Sequence, residues 1–184
     1  MIGYICVGAV VIILAVCVIR FYNKVIHLKN YVEEAFATMD VYLKKRADLV
    51  PNLVATIKGY AEHEVEIFTS ADRAIQNWNG NEKNRYVRFQ AEEELAATVR
   101  DMHVLTERYP QICAGDNFLM LQKNLKSLED DIANARKYYN GVVNTYNMAI
   151  ATFPANLIAA ILGFKKESLF KISDWDRDNT IVRF

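Results

Sequence analysis

The three histidines are the side chains best suited to metal chemistry in this 184-residue sequence, and their neighbours do not complete a site. His63-Glu64 begins like the zinc-binding pattern H-E-x-x-H, but residue 67 is isoleucine, so the second ligand is absent. Di-metal helical bundles need Glu-x-x-His on two helices, and no histidine here has a glutamate three residues before it. With Glu62 and Glu66 alongside, we interpret His63 as part of a solvent-exposed acidic face and predict no metal site.

Other kinds of reactive site also lack their sequence signals. The sequence has no G-x-G-x-x-G or Walker-type loop, and no nucleophile stands in a strand-to-helix elbow. Cys6 and Cys17 lie in an apolar run and Cys113 lies in a turn, which indicates a reducing compartment and no disulfide framework. The 22 basic and 22 acidic residues leave no net charge to attract nucleic acid. We predict a non-enzyme with no catalytic residues, no cofactor and no nucleic-acid partner.

Two polar features fall on or beside apolar helical stripes. Arg46 lies on a stripe, where a charge must be paired or must extend its stem to the surface, so we predict a structural ion pair. Tyr139-Asn140 and Tyr146-Asn147 repeat at a heptad interval, with each asparagine one step off the apolar seam. We interpret the asparagines as hydrogen-bonding between helices to fix their register; a ligand groove is the alternative.

A long helix from Asp116 to Phe153 must position these residues. Asp116 suits the N-cap, and Pro154 ends the helix. The predicted seam alternates steps of four and three, at Leu121, Leu125, Leu128, Ile132, Ala135, Tyr139, Val142, Tyr146 and Ile150. Because one helix cannot bury this seam alone, other helices must cover it.

The first 20 residues predict a membrane anchor. Residues 2–19 are uncharged and almost wholly apolar, close to the roughly 20 residues that span a bilayer. A secretory signal, a lipoprotein signal ending at Cys17 and a buried core helix are the alternatives. Arg20, Lys24 and Lys29 follow the run, so the positive-inside tendency places the rest of the chain in the cytoplasm.

Residues 21–153 predict a helical bundle, with helices at about 22–47, 50–78, 82–108 and 116–153. The break before the second helix is predicted at Asp48–Pro51, because Pro51 inside a helix costs roughly 3 kcal/mol and Asp48 suits a cap. The apolar phase nevertheless runs through this point unbroken, so a continuous kinked helix is the alternative.

The third predicted region, residues 154–184, is an amphipathic C-terminal segment and tail. Leu157, Ile161 and Phe164 with Lys165 and Lys166 suit a membrane interface or a subunit contact. An apolar tail folded back over the bundle is the alternative. Four helices that alternate in direction return this segment to the membrane, whereas merging the first two helices into one rod would place it far from lipid.

Two blocks of sequence resemble the LemA family. The first is Arg46-Ala47-Asp48-Leu49-Val50-Pro51-Asn52. The second comprises Asn117-Phe118-Leu119, Gln122, Tyr139-Asn140, Tyr146-Asn147 and Phe153-Pro154-Ala155-Asn156. The turn before Asp116 departs from the family pattern. The candidate family-signature residues are therefore Arg46, Asp48, Pro51, Asn52, Asn117, Gln122, Tyr139, Asn140, Tyr146, Asn147, Phe153, Pro154 and Asn156.

The resemblance implies an all-α protein with a single N-terminal transmembrane helix followed by an antiparallel, bromodomain-like bundle of long helices. It implies no established activity: one relative takes part in shaping magnetosome membranes, and others are encoded beside membrane proteases. We therefore predict a scaffold of the bacterial cytoplasmic membrane that acts by self-association or membrane contact. Its expected partners are membrane lipid and further copies of the chain. The alternative is an adaptor or regulatory partner of another membrane protein, such as a protease.

Overall fold

A computed structural model describes residues 2–170, and all regular structure in this range is helical. The helices are α1 (Ile2–Lys58), α2 (Val65–Asn77), α3 (Arg85–Arg108), α4 (Asp116–Ala151) and α5 (Ala155–Ile161), with a 3₁₀ turn at Pro110–Ala114. No strand occurs in residues 2–170, which confirms the predicted all-α class. Residues 171–184 of the predicted C-terminal segment lie outside the described residues.

The N-terminal part of α1 is apolar and exposed. It is the one helix in the described part of the chain that is long and apolar enough to cross a membrane, and only 6% of its apolar window is buried. A core helix would bury these side chains, so the buried-helix alternative is wrong. Exposed Ile12, Ile13 and Leu14 are instead typical of a surface in contact with lipid.

The predicted helix break at Asp48–Pro51 is wrong, because α1 continues through Pro51 to Lys58. The lost hydrogen bond and ring clash at Pro51 cost roughly 3 kcal/mol. Val50, Leu53 and Ile57 are buried on the same helical stripe, and burying each such side chain contributes about 1.5–3 kcal/mol. The combined free energy of burying these three side chains exceeds the cost of the proline. The unbroken apolar stripe therefore keeps the helix continuous at Pro51.

The chain breaks later than predicted, in the turn at residues 59–64. The turn begins at Gly59, a poor helix former, and is closed by the bonds from the backbone N–H of Tyr60 and Ala61 to the carbonyl of Ile57. The predicted helix 50–78 is therefore divided between the end of α1 and the shorter α2. The turn at residues 59–64 replaces the predicted break at Asp48–Pro51 as the one reversal of the chain before α3. The predicted alternation of helix direction is therefore unchanged.

The apolar seam of α4 is confirmed with one shift. Leu125, Leu128, Ile132, Ala135, Tyr139, Tyr146 and Ile150 are buried, and Leu121 is half-buried. Val143, and not the predicted Val142, is the buried valine. An ideal helix drifts about 20° per heptad against a strict 3.5-residue repeat, and the two successive steps of four from Ala135 to Val143 correct that drift.

The described chain divides into two compact units. Unit 1 comprises Met1–Ala37 and Lys137–Leu169; unit 2 comprises Thr38–Arg136 and resumes at Phe170. The core of unit 1 consists of Val25, Val32, Ala35, Tyr139, Val143, Tyr146, Ile150 and Ala159. The core of unit 2 includes Val50, Leu53, Ile57, Phe68, Leu95, Met102, Leu105, Ile112, Phe118 and Leu125. The predicted domain boundaries at residues 20 and 153 separate the membrane anchor and the C-terminal segment from the bundle, and they stay a prediction.

Candidate membrane-contact site

In unit 1, α4 runs back along α1 towards the end of the apolar run. The rings of Phe36 and Tyr139 are 6.0 Å apart, and those of Tyr22 and Phe164 are 5.9 Å apart. Later residues of the C-terminal part therefore contact earlier residues of α1. The turn after α4 and the helix α5 consequently lie beside the residues at which the predicted span ends.

This turn and α5 expose large apolar side chains. Ala159 is buried, which seats α5 on unit 1, whereas Phe153 is 77% exposed and Ile161 is 85% exposed. Leu157 and Leu162 are also exposed. We call these four exposed residues the apolar rim. A short helix that buries an alanine and presents its larger side chains outward is suited to an apolar surface outside the protein.

Basic side chains stand at the same end of unit 1. Lys165 and Lys166 follow α5 and are exposed, and Arg20 and Lys24 are exposed on α1. We call these four residues the basic collar. Apolar side chains flanked by lysines and arginines are typical of a segment at a lipid interface.

The predicted contact residues are close together in unit 1, as expected for one surface. Leu157, Ile161, Lys165 and Lys166 are exposed, but Phe164 is half-buried against Tyr22. Phe164 therefore holds the segment to the protein. The sequence could not separate these roles, because an apolar residue has the same hydropathy in either role.

An extended segment, which we call the strap (residues 164–170), fixes α5 from its C-terminal side. The Tyr146 hydroxyl donates to the carbonyl of Lys165 at 2.9 Å, and the Tyr139 hydroxyl donates to the carbonyl of Ser168 at 2.8 Å. Gly163 adopts φ 75° where the chain leaves α5 for the strap, a conformation that favours glycine. Burial raises the pKa of the Tyr146 phenol, so the neutral, donating form is favoured.

Asn147 binds the strap with both ends of its amide. The Asn147 side-chain N–H donates to the carbonyl of Glu167 at 2.9 Å, and the side-chain oxygen accepts from the Glu167 N–H, also at 2.9 Å. The predicted helix-to-helix hydrogen bond is wrong for this asparagine, because its partner is extended backbone. The repeated Tyr-Asn pair in the sequence was a signal that α4 holds another segment. The strap has no regular structure, so its own sequence carries no periodic pattern that would identify it as the partner.

Unit 2 contains a buried cluster of charges around Arg46. Arg46 is fully buried and donates to the carboxylate of Glu92 at 2.7 Å and to its backbone carbonyl at 2.9 Å. A longer contact of 3.3 Å reaches the half-exposed carboxylate of Glu129. The predicted ion pair of Arg46 is present, and it joins α1 to both α3 and α4. We call Arg46, Glu92, Glu129, Arg88, Asp40 and Trp78 the charge cluster.

The remaining members extend the cluster around α3. Trp78 donates from its indole nitrogen to Glu92 at 2.5 Å, and Arg88 lies over the Trp78 ring at 5.1 Å. Arg88 also pairs with Asp40 and donates to the carbonyl of Gly80. Sequence reasoning missed Glu92, although it lies three residues after Phe89 and three before Leu95, on the buried face of α3.

A groove lies between α3 and α4 in unit 2, with a volume of about 570 Å³. Its apolar wall includes Leu53, Val99, Met102, Phe118 and Leu125. Its polar rim includes His103, Gln122, Lys123, Lys126 and Glu129. Gln122 is the one family-signature residue among these, and neither Asn140 nor Asn147, for which a ligand groove was the alternative, lines it.

The predicted acidic face around His63 is exposed apart from Glu64. The Glu64 carboxylate accepts from Arg108 at 2.7 Å and from the Tyr109 hydroxyl at 3.1 Å. The hydrogen bond from Arg108 chiefly lowers the pKa of Glu64, and the bond to Glu64 raises the pKa of Tyr109. Within residues 2–170, no group of three or more His, Cys, Asp or Glu residues could hold a metal ion.

The other signature residues are spread along the surface. Asp48, Pro51 and Asn52 are exposed on α1; Asn117 is exposed in the first turn of α4; Phe153, Pro154 and Asn156 are exposed at the turn into α5; Asn140 is half-buried. The structure therefore brings together Tyr139, Tyr146 and Asn147 around the strap. It leaves the remaining signature positions outside that contact.

The sequence matches the LemA family over residues 35–184. It is 37% identical over 67 residues to magnetosome protein MamQ 2 of Paramagnetospirillum magneticum strain AMB-1, and 35% identical over 66 residues to magnetosome protein MamQ of Magnetospirillum gryphiswaldense strain MSR-1. Each alignment covers 36% of this chain but only 25% and 24% of the respective relatives, so the match spans about a quarter of their length. With the family match extending over most of its length, the all-helical chain belongs to the LemA family.

Proposed function

We propose that this protein is a membrane-anchored helical scaffold of the bacterial cytoplasmic membrane that contacts the bilayer twice. The N-terminal part of α1 crosses the membrane, and the apolar rim on α5 enters the interface of the same bilayer. The observation that carries the proposal is the exposure of Phe153, Leu157 and Ile161 beside the end of the apolar run. No catalytic step is part of this role.

The second contact is energetically substantial. Burying a large apolar side chain contributes about 1.5–3 kcal/mol, and each lysine or arginine near an anionic surface adds about 1 kcal/mol. The span alone leaves unit 1 free to tilt and rotate about α1. A second contact offset from that axis restricts both motions, and a scaffold needs a fixed orientation to impose order on the membrane or on neighbouring molecules.

The proposal places the helical units in the cytoplasm, because Arg20, Lys24 and Lys29 follow the span. A cysteine introduced by Asn81→Cys, at an exposed position of the turn between α2 and α3 and in a background without the native cysteines, tests this placement. It should react with membrane-impermeant maleimide only after the cells are permeabilised. Labelling of intact cells would contradict the cytoplasmic orientation.

Self-association completes the scaffold role that we propose. The similarity to relatives named as magnetosome proteins supports the coarser part of this role, a membrane-associated helical protein. Size-exclusion chromatography with light scattering on the detergent-solubilised full chain should give one homogeneous assembly. A monomer across a tenfold range of concentration would contradict self-association and leave the bilayer contact to be tested separately.

Spin labels on the full chain in nanodiscs test the bilayer contact. Labels are placed singly at Ile161, on the apolar rim, and at Asn144, which is exposed on α4 of the same unit. The label at Ile161 should be accessible to oxygen and protected from a water-soluble nickel complex, and the label at Asn144 should give the reverse. Equal accessibility at the two positions would overturn the proposed contact.

An adaptor for another membrane protein, such as a protease, is the second candidate. The observation that favours it is the α3–α4 groove, whose apolar wall and basic rim suit an extended peptide segment. This candidate predicts a monomeric protein in detergent. It also predicts that substitutions in the groove abolish function while the spin label at Ile161 keeps its environment.

A further inference from the structure

The floor of the α3–α4 groove is part of the core of unit 2. Leu53 of α1, Met102 of α3, and Phe118 and Leu125 of α4 line the groove and belong to the buried apolar cluster of this unit. Because core side chains are closely packed, the floor is formed before anything binds to it. The volume of about 570 Å³ lies within the roughly 300–1,000 Å³ that is typical of sites for small molecules.

Two lysines stand together on the rim of the groove. Lys123 and Lys126 are exposed and lie three residues apart on α4, so they are neighbours on the surface of that helix. Within the described residues 2–170, neither lysine forms an ion pair. Like charges at this spacing repel each other, and an anion bound between them would relieve the repulsion.

The other polar groups of the lining leave this positive charge in excess. Among the described residues that line the groove, Glu129 is the one acid, and its carboxylate contacts the buried guanidinium of Arg46 at 3.3 Å. The Thr106 hydroxyl donates to the carbonyl of His103 at 2.7 Å, so its proton is already used. The groove therefore combines an apolar floor with a rim whose charge is complementary to an anion.

The walls of the groove favour an alkyl chain over a peptide. A peptide carries a backbone N–H and a carbonyl at almost every residue, and burying such groups without hydrogen-bond partners is costly. The walls are helices, which pair their own backbone groups internally, so mainly rim side chains such as Gln122 are left to bond a peptide. An alkyl chain has no polar group along its length and needs no such partner.

We propose that the α3–α4 groove binds a single-chain amphiphile with an anionic head group, namely the carboxylate of a fatty acid. The alkyl chain lies over Leu53, Met102 and Leu125, and the carboxylate pairs with Lys123 and Lys126. This site goes beyond the proposed scaffold role, which does not depend on it. The fatty acid and the peptide of the adaptor candidate would compete for the same groove.

Photo-crosslinking of the full chain in nanodiscs tests the proposal. The probe is dodecanoic acid with a diazirine at its chain end, and mass spectrometry should locate the label within residues 99–106 and 118–129. Lys123→Gln with Lys126→Gln should reduce this labelling about fivefold, which corresponds to about 1 kcal/mol, since exposed ion pairs are individually weak. Leu119→Glu, which places a negative charge in the groove, should also reduce it.

Each of these variants has a matched control. Lys44→Gln with Lys45→Gln removes the same two charges from exposed positions of α1 in unit 2, outside the groove lining. Met120→Glu introduces the same charge as Leu119→Glu at the next residue, which is also exposed and does not line the groove. Both controls should be labelled in the groove as strongly as the wild type.

The head group and the source of the chain are tested with two further probes. Dodecanol with the same diazirine should label the groove about fivefold less than the acid, because it lacks the charge that pairs with the lysines. Equal labelling by the acid and the alcohol would overturn recognition of an anionic head. Equal or stronger labelling by a diazirine-bearing phosphatidic acid in the nanodisc would assign the groove to bilayer lipid and overturn the single-chain ligand.

The absence of label from the groove would overturn the site and leave the groove to the peptide of the adaptor candidate. Groove labelling that Leu119→Glu does not reduce would also overturn it. The spin label at Ile161 reports the bilayer contact separately, so failure of this site and failure of the scaffold proposal are distinguishable.

Discussion

The two units stabilise their helices with different chemistry. In unit 1, Tyr139, Tyr146 and Asn147 use neutral side chains, and each bonds to the backbone of the strap. In unit 2, Arg46 and Glu92 are fully buried ions that bond chiefly to each other. Neutral bonds to a backbone hold a segment whatever its side chains are. Buried ions instead require a specific partner, since either ion alone is strongly destabilising.

This difference matches the proposed roles of the units. A strap held through its backbone keeps α5 in place while the rim and collar residues stay free to suit the membrane that they contact. The charge cluster ties α1, α3, α4 and the turn at Trp78 into one arrangement and excludes alternative registers of the bundle. Substitutions in the charge cluster should therefore destabilise the whole bundle, whereas substitutions around the strap should act locally.

Removing one ion of the charge cluster should have the largest effect. Arg46→Met should lower the free energy of unfolding by about 3–5 kcal/mol, because Glu92 would remain buried with only the more distant Arg88, at 3.7 Å, to balance its charge. The measurement is denaturant unfolding of the full chain in detergent. Lys45→Met, an exposed neighbour on α1, is the control and should change stability by less than about 0.5 kcal/mol.

The double variant Arg46→Met with Glu92→Gln separates charge from shape. The substituted amide would keep an acceptor for the indole of Trp78 and remove the unpaired charge, so part of the lost stability should return. If the two substitutions are additive in a double-mutant cycle, the two buried ions are not coupled and the contrast between the units fails.

Truncating the apolar seam of α4 should have the next largest effect. Leu128→Ala or Ile132→Ala should each lower the free energy of unfolding by about 2–5 kcal/mol, because both side chains are buried and leave cavities. His63→Ala, on the exposed acidic face, should change it by less than about 0.5 kcal/mol. Similar unfolding curves for the two sets would refute the seam.

Weakening the hold on the strap should have a smaller and local effect. Tyr146→Phe removes the donor to the carbonyl of Lys165, and a single hydrogen bond contributes about 0.5–1.5 kcal/mol. We expect faster amide hydrogen exchange at residues 165–168 with little change in the exchange of α3. Tyr138→Phe, at an exposed position next to the seam, is the control and should not alter exchange in the strap. Equal acceleration throughout the chain would mean that the strap is not a separate unit of stability.

The smallest predicted effect is a pH dependence at Glu64. Because its folded pKa lies below the ordinary value of 4.5, Glu64 stabilises the fold above that pH and loses this contribution as pH falls through the folded value. Glu64→Gln should therefore melt slightly below the wild type at neutral pH, and the two melting temperatures should converge in acid. Glu62→Gln, at an exposed neighbour, should follow the wild type at every pH; a constant gap for Glu64→Gln would contradict the assignment.

The local pattern of the sequence was sufficient for the long helix α4 and for one ion pair. Steps of three and four along α4 predicted its buried face, since a helix can present only one stripe to its neighbours. Arg46 stood on such a stripe, and burial of an unpaired guanidinium is too costly to persist, so a carboxylate partner was required. The apolar run of residues 2–19 predicted a candidate span from composition and length alone.

Tertiary structure decided where the chain turns and what the polar residues hold. At Pro51 the local cost of a proline opposed the burial of Val50, Leu53 and Ile57, and only the packed neighbours of α1 determined which was larger. Glu92 and the strap are distant in sequence from Arg46 and from Asn147, so no helical period relates them. Tertiary structure also decided which residues form the exposed rim of α5. Phe164 and Ile161 are both strongly apolar, but Phe164 is half-buried against Tyr22 and Ile161 is exposed, and only the folded chain brings Tyr22 near Phe164.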